Sequence, residues 1–215
     1  MNQPKKTRFV ITCMAFLSVI AARAADLSTT LHFNPSLSRE ANPFVSVLGF
    51  DANQLIFSNV IGVLIFVFAP LLVYLRCGPS QMQEKPQSLS EYVSLQLYRC
   101  RLSKSRLFSG LFLGWPFPKD YQQVIRAFGF AISWTVVFAG LQQTFAWWAT
   151  NEWGMDWYQN YRGWFNFRGY PIIELIPVMI VFLLAGYLFF RMEFKVKALE
   201  ELKAEQDVAP QSAIR

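Results

Sequence analysis

Three stretches of the chain stay apolar over the roughly 20 residues that a helix needs to cross a bilayer: residues 55–75, 124–149 and 171–190. Each predicts a membrane span. Pro70 and Pro177 fall inside the first and third stretches, and prolines are tolerated in spans because neighbouring helices satisfy the backbone groups they free. Arg76, Arg126 and Arg191 stand at span ends, where long basic side chains can reach the headgroups.

A fourth apolar stretch, Phe9 to Ile20, follows Lys5, Lys6 and Arg8 and leads into Ala22-Arg23-Ala24. That layout fits a signal peptide cleaved after Ala24. It also fits an uncleaved span over residues 9–31, in which Arg23 and Asp26 lie three positions apart on one helical face and lower each other's insertion cost. The expected fold is therefore an all-α, polytopic membrane helix bundle. It has four spans, or three if the N-terminus is removed, within a single membrane domain over residues 1–215.

The polar segments between the runs also carry pattern. In the connection 76–123, Ser88 and Glu91 form a capping-box signature, and Leu89, Tyr92, Val93 and Leu97 recur at helical spacing ahead of Arg99, Arg101, Lys104 and Arg106. A basic amphipathic helix followed by the apolar, aromatic stretch from Leu107 to Pro118 suits the inner leaflet, where each basic residue gains about 1 kcal/mol from anionic lipid. It suits equally a cap on the helix bundle, because an amphipathic face does not distinguish lipid from protein as its cover. In the opposite connection, 147–170, aromatic residues concentrate: 11 of the 26 residues from Phe145 to Tyr170 are aromatic. Trp147, Trp148, Trp153, Trp157 and Trp164 form either an interfacial belt with a short flat helix or a platform for a ligand or partner. Glu174 stands three residues into the last run, where water is expected to reach it. Beyond it, Lys and Glu alternate from Arg191 to Gln206, which predicts a solvated helix and then a tail to residue 215.

Composition narrows the class. Of 215 residues, 53% are hydrophobic and 16% charged, against about 25% charged in soluble domains, which excludes a disordered chain and disfavours a soluble enzyme. The net charge of +6 is distributed unevenly: Lys and Arg number three in the first eight residues, eight from Arg76 through Arg126 and five from Arg191 onward, against four elsewhere. By the positive-inside rule the C-terminus is cytoplasmic, in a multi-pass protein of the inner (plasma) membrane. Cys13, Cys77 and Cys100 show no zinc spacing. One histidine leaves little scope for metal cages or imidazole catalysis. No metal, cofactor or nucleic-acid partner is expected, and the partners implied are the lipid bilayer and another protein in the membrane.

The densest polar motif is Asp26, Thr29 and Thr30, followed after a gap by Glu40, Asn42 and Pro43. The pattern D-x-x-T-T, a gap, then E-x-N-P resembles small multi-span prokaryotic membrane proteins grouped as a domain of unknown function. The resemblance covers the first third of the chain, and it implies that Asp26 belongs to a membrane helix retained in the mature protein. Asp26 can pair with Arg23 as a structural link. It can instead join His32 and Glu40 as a carboxylate, imidazole and carboxylate set for proton or metal chemistry. The function expected is a non-catalytic subunit or assembly partner of a membrane complex. Its rival is an enzyme acting on a lipid or glycan carrier, with Asp26, His32 and Glu40 as its polar centre.

Overall fold

The computed structural model describes residues 5–37, 45, 47–82, 84–163, 166–167 and 170–212. Glu40, Asn42, Pro43 and Trp164 lie outside these described residues. Among the described residues seven helices follow in chain order: α1 (Lys5–Phe33), α2 (Ala52–Arg76), α3 (Leu89–Tyr98), α4 (Lys104–Leu113), α5 (Tyr121–Asn151), α6 (Asp156–Gly163) and α7 (Leu175–Ser212). Four of them, α1, α2, α5 and α7, are long and apolar enough to cross a membrane.

The helix starts follow capping chemistry. Asp51 accepts from the Gln54 amide at 2.8 Å while the Gln54 side chain accepts from the Asp51 amide at 3.0 Å, a full capping box for α2. Ser88, Ser103 and Asp120 cap α3, α4 and α5. The Glu91 carboxylate reaches the Gln87 amide rather than that of Ser88, so the expected box at α3 closes one residue early. Within α2, residues Leu64–Phe68 form a π-helical turn just ahead of Pro70. Proline cannot donate to a carbonyl one turn back, and its ring crowds that carbonyl; a widened turn relieves both.

Helix α5 occupies the centre and packs against α1, α2 and α7. Glycines set the approach. A Cβ on Gly129 would lie 2.6–2.8 Å from Pro70 of α2, and one on Gly140 would lie 2.8–3.1 Å from Ala22 of α1, so both crossings bring backbone against backbone. Arg8 of α1 contacts the backbone at Cys77 just past α2, and the far end of α1, Phe33, stacks on Trp147 and meets Trp148 edge-on near the end of α5. Thus α1 and α5 run parallel, and α2 and α7 run antiparallel to them.

The two ends of the bundle differ in character. One gathers Arg8, Arg76, Arg126, Arg191 and the helices α3 and α4. Tyr74, Phe130 and Phe189 meet there with ring centroids 5.7–6.0 Å apart, and Tyr92 and Leu97 of α3 close over them. The other end carries α6 and the aromatic cluster. The outward faces of the spans keep large apolar side chains exposed, among them Phe9, Leu17, Phe57, Phe66, Met179 and Leu184, as hydrocarbon contact requires.

The last span starts at Leu175 and not at residue 171, because Tyr170–Pro171 pairs with Asn166–Phe167 in a two-residue antiparallel ladder and Ile172–Glu174 forms a 3-10 turn. At the other boundary α5 runs to Asn151, which places Trp147 and Trp148 on a helix end instead of in the connecting loop. The Lys and Glu alternation after Arg191 continues α7 as a single helix, as its spacing predicts.

Candidate functional site

Polar side chains inside the bundle form three groups. Near the middle of α1, Arg23 donates to Asp26 at 2.5 Å and to the Asn59 side chain of α2. Asp26 is buried. Thr29 bonds back to the carbonyls of Ala25 and Asp26, the usual satisfaction of a hydroxyl inside a helix, and Thr30 is buried beside them. His32 lies six residues beyond Asp26, which rotates it well off the Asp26 face at 100° per residue. It is exposed, its ring edge-on to Phe33 at 4.7 Å. The structure therefore joins Asp26 to Arg23, and through Arg23 to Asn59, and not to His32.

The second group closes the basic end. Arg126 is fully buried; it bonds Gln123 on its own helix and the Glu193 carboxylate of α7, lies 5.8 Å from the Tyr74 ring and 5.6 Å from that of Phe189, and shares Glu193 with the Tyr92 hydroxyl. Snorkelling was expected of this arginine. Its position on the inward face of α5 turns it into the core, whereas Arg76 and Arg191 are exposed as span-end cations.

A collar of hydrogen bonds lies beneath it. Ser80 is gripped by both ends of the Gln96 amide, receives Gln123 Nε2 at 3.0 Å and donates to Asp120 at 2.6 Å. Burial pushes the Asp120 carboxyl upward, but the bonds from Ser80, the Gln123 amide and Arg99 outweigh it and hold the group below its usual range.

The third group sits at the aromatic end around Glu174. Gln143 of α5 and Tyr158 of α6 each donate to its carboxylate at 3.0 Å, Arg162 approaches to 2.8 Å, and Gln142 holds its backbone carbonyl. Only 4% of Glu174 is exposed. Tyr158 and Arg162 thus close off the water that its place near the start of the span suggested. Burial, and then the neighbouring Glu174 charge, push the Tyr158 hydroxyl far up, so it remains a donor.

Among the aromatic residues, Trp148, Trp153, Phe145, Tyr158 and Trp157 form one chain of ring contacts, with centroids 5.4–6.5 Å apart. Trp153 and Trp157 remain more than half exposed. Trp147 instead turns toward Phe33.

The basic residues of the connection also separate. Arg99 pairs with Asp120 at 2.9 Å and Arg101 with Glu84 at 2.8 Å, whereas Lys104 and Arg106 at the start of α4 are exposed. Helix α3 is buried along nearly its whole length, from Tyr92 to Tyr98. It is a cap on the bundle.

Glu193, Tyr92, Gln143 and Asn59 carry these groups without any local motif. At the basic end their signal is depth: Arg126 and Glu193 lie at matching distances from the basic ends of their spans. Among the described residues, no three His, Cys, Asp or Glu side chains gather as a metal site would require. Compared with known proteins, the chain matches no family model, no curated protein and no solved structure.

Proposed function

We propose that this multi-span membrane protein is a non-catalytic subunit or assembly partner of a larger membrane complex. The observation that carries the reading is that three groups of buried charge close on neighbouring side chains, while the buried Arg8 is held by the Cys77 carbonyl. Arg126 is held by Glu193, Arg23 by Asp26 and Asn59, and Glu174 by Tyr158, Gln143 and Arg162. Each set joins two or three elements, as structural fastenings do, and Asp26, the centre of the rival enzyme reading, is engaged by Arg23. The surface offered to a partner is the aromatic end, where Trp153 and Trp157 stand exposed beside Glu152 and Asp156. Aromatic residues with few basic neighbours suit a protein contact at the membrane boundary.

Orientation belongs to the same reading. The basic end gathers Arg8, Arg76, Arg191 and the cations of the 76–123 connection, which supports a cytoplasmic placement of that end and of the C-terminus in the inner membrane. The resemblance of the Asp26 motif to membrane proteins that retain this helix, together with the packing of Ala22 on Gly140, supports a retained first span.

Purification of a tagged chain in mild detergent after crosslinking tests the role. Recovery with a reproducible membrane-protein partner is the expected result, and recovery only as an isolated monomer would overturn it. Asp26→Ala separates the rival: the subunit reading expects reduced membrane abundance, whereas normal abundance with a lost cellular phenotype would favour an enzyme.

A further inference from the structure

Helix α4 and the turn after it form a second amphipathic surface, distinct from the buried α3. Leu107 and Gly110 face inward, and the Tyr98 ring lies so close over Gly110 that a Cβ there would meet the hydroxyl at 2.3 Å. The amides of Lys119 and Asp120 both bond the Leu97 carbonyl, at 2.8 and 3.0 Å. The segment is therefore fixed to the bundle at both ends. Its outer side presents Phe108, Leu111, Phe112, Leu113, Trp115 and Phe117, with Leu113 76% and Trp115 70% exposed. The rings pair with one another, Phe108 on Phe112 at 4.5 Å and Trp115 on Phe117 at 5.7 Å. The strip then continues onto Tyr121, Ile125 and Phe128 at the exposed start of α5, which is the surface that a span turns to lipid.

Charge identifies the cover. Between Glu91 and Asp120 the sequence has no acidic residue and five basic ones. Two are engaged, Arg99 by Asp120 and Arg101 by Glu84. Lys104, Arg106 and Lys119 are exposed and form no ion pair among the described residues. An apolar aromatic face flanked by free cations and continuous with a span complements an anionic headgroup layer lying over hydrocarbon.

We propose that α4 and the turn Trp115–Phe117 are an interfacial foot embedded in the anionic leaflet at the basic end, with Lys104, Arg106 and Lys119 on headgroup phosphates. The foot depends on the spans crossing a bilayer and not on the subunit role, so either proposal can fail alone.

The test uses the full chain with Cys13, Cys77 and Cys100 replaced by Ser. A single cysteine is then introduced by Phe112→Cys, or by Glu84→Cys as a control, and labelled with an environment-sensitive nitrobenzoxadiazole. Reconstitution into phosphatidylcholine vesicles, with and without phosphatidylglycerol, follows, and quenching is read with lipid carrying a nitroxide near the top of its acyl chain. The expected result is several-fold stronger quenching at position 112 than at 84, rising with phosphatidylglycerol. The rise should disappear in the combined variant Lys104→Gln, Arg106→Gln, Lys119→Gln, whose fold is checked by size-exclusion chromatography in detergent. A label at 112 that the nitroxide lipid does not quench, whether it sits in water or under a protein partner or second copy, would overturn the proposal. So would a rise that survives removal of the three cations.

Discussion

Arg126 and Asp120, six residues apart, show how differently charge is held in this chain. Arg126 is inside the bundle, where a guanidinium stripped of water depends on its partners. Removing one member of a buried pair costs about 3–5 kcal/mol, whereas replacing both by apolar residues can be nearly neutral. Arg126→Leu should therefore lower the thermal unfolding temperature in detergent sharply, and the double change Arg126→Leu with Glu193→Leu should recover much of the loss. Asp120 lies at the mouth of the bundle and its carboxyl is held below the ordinary value of 3.8. The unfolded chain takes up the proton first as pH falls, so the contribution of Asp120 to stability is complete above pH 3.8 and is lost as pH drops below it. An acid titration of unfolding followed by circular dichroism should show a shallower loss in that window for Asp120→Asn.

Helices meet at positions that side-chain size decides. Gly129→Ala and Gly140→Ala place a methyl against the backbone of Pro70 and Ala22, and forcing those crossings apart should cost on the order of 1–3 kcal/mol each. Gly62→Ala on α2 meets nothing within 4 Å and should hold or slightly raise thermal stability in detergent, because alanine is the better helix former, so the three variants together separate crossing from composition. Here the sequence is informative: apolar run length marks three of the four spans, and leaves the first open between a span and a signal peptide, while the small residues Gly129, Ser133 and Gly140 lie on the buried face of α5. The cap at Ser88 was equally plain. Partner choice was not. Nothing local to Arg126 indicates that its carboxylate comes from Glu193, and nothing local to Glu174 indicates Tyr158, because those pairings exist only once α5, α6 and α7 are side by side. The choice between leaflet and bundle for the basic connection was unreadable for a similar reason: one run of residues divides into α3, which the bundle covers, and α4, which it leaves open.

At the scale of the whole molecule, the first span decides what the mature protein is. Ala22 and Arg23, within the apparent cleavage signal, are engaged by Gly140, Asp26 and Asn59, so removal of the segment would take away a full face of the central helix. Intact-mass spectrometry of the purified protein should find residues 5–33 present; a mature N-terminus at Ala25 would contradict the retained span. The spacing of the ion pairs also bears on how such a bundle is made. Arg23 and Asp26 are three positions apart, so α1 carries its own counter-ion and can leave the insertion machinery already neutralised. Arg126 waits for Glu193, 67 residues later in synthesis. Until α7 emerges, Arg126 lacks the carboxylate that holds it in the finished bundle. The fastening between α5 and α7 can thus close only after the last helix has been made, whereas the Arg23–Asp26 pair is complete once α1 is.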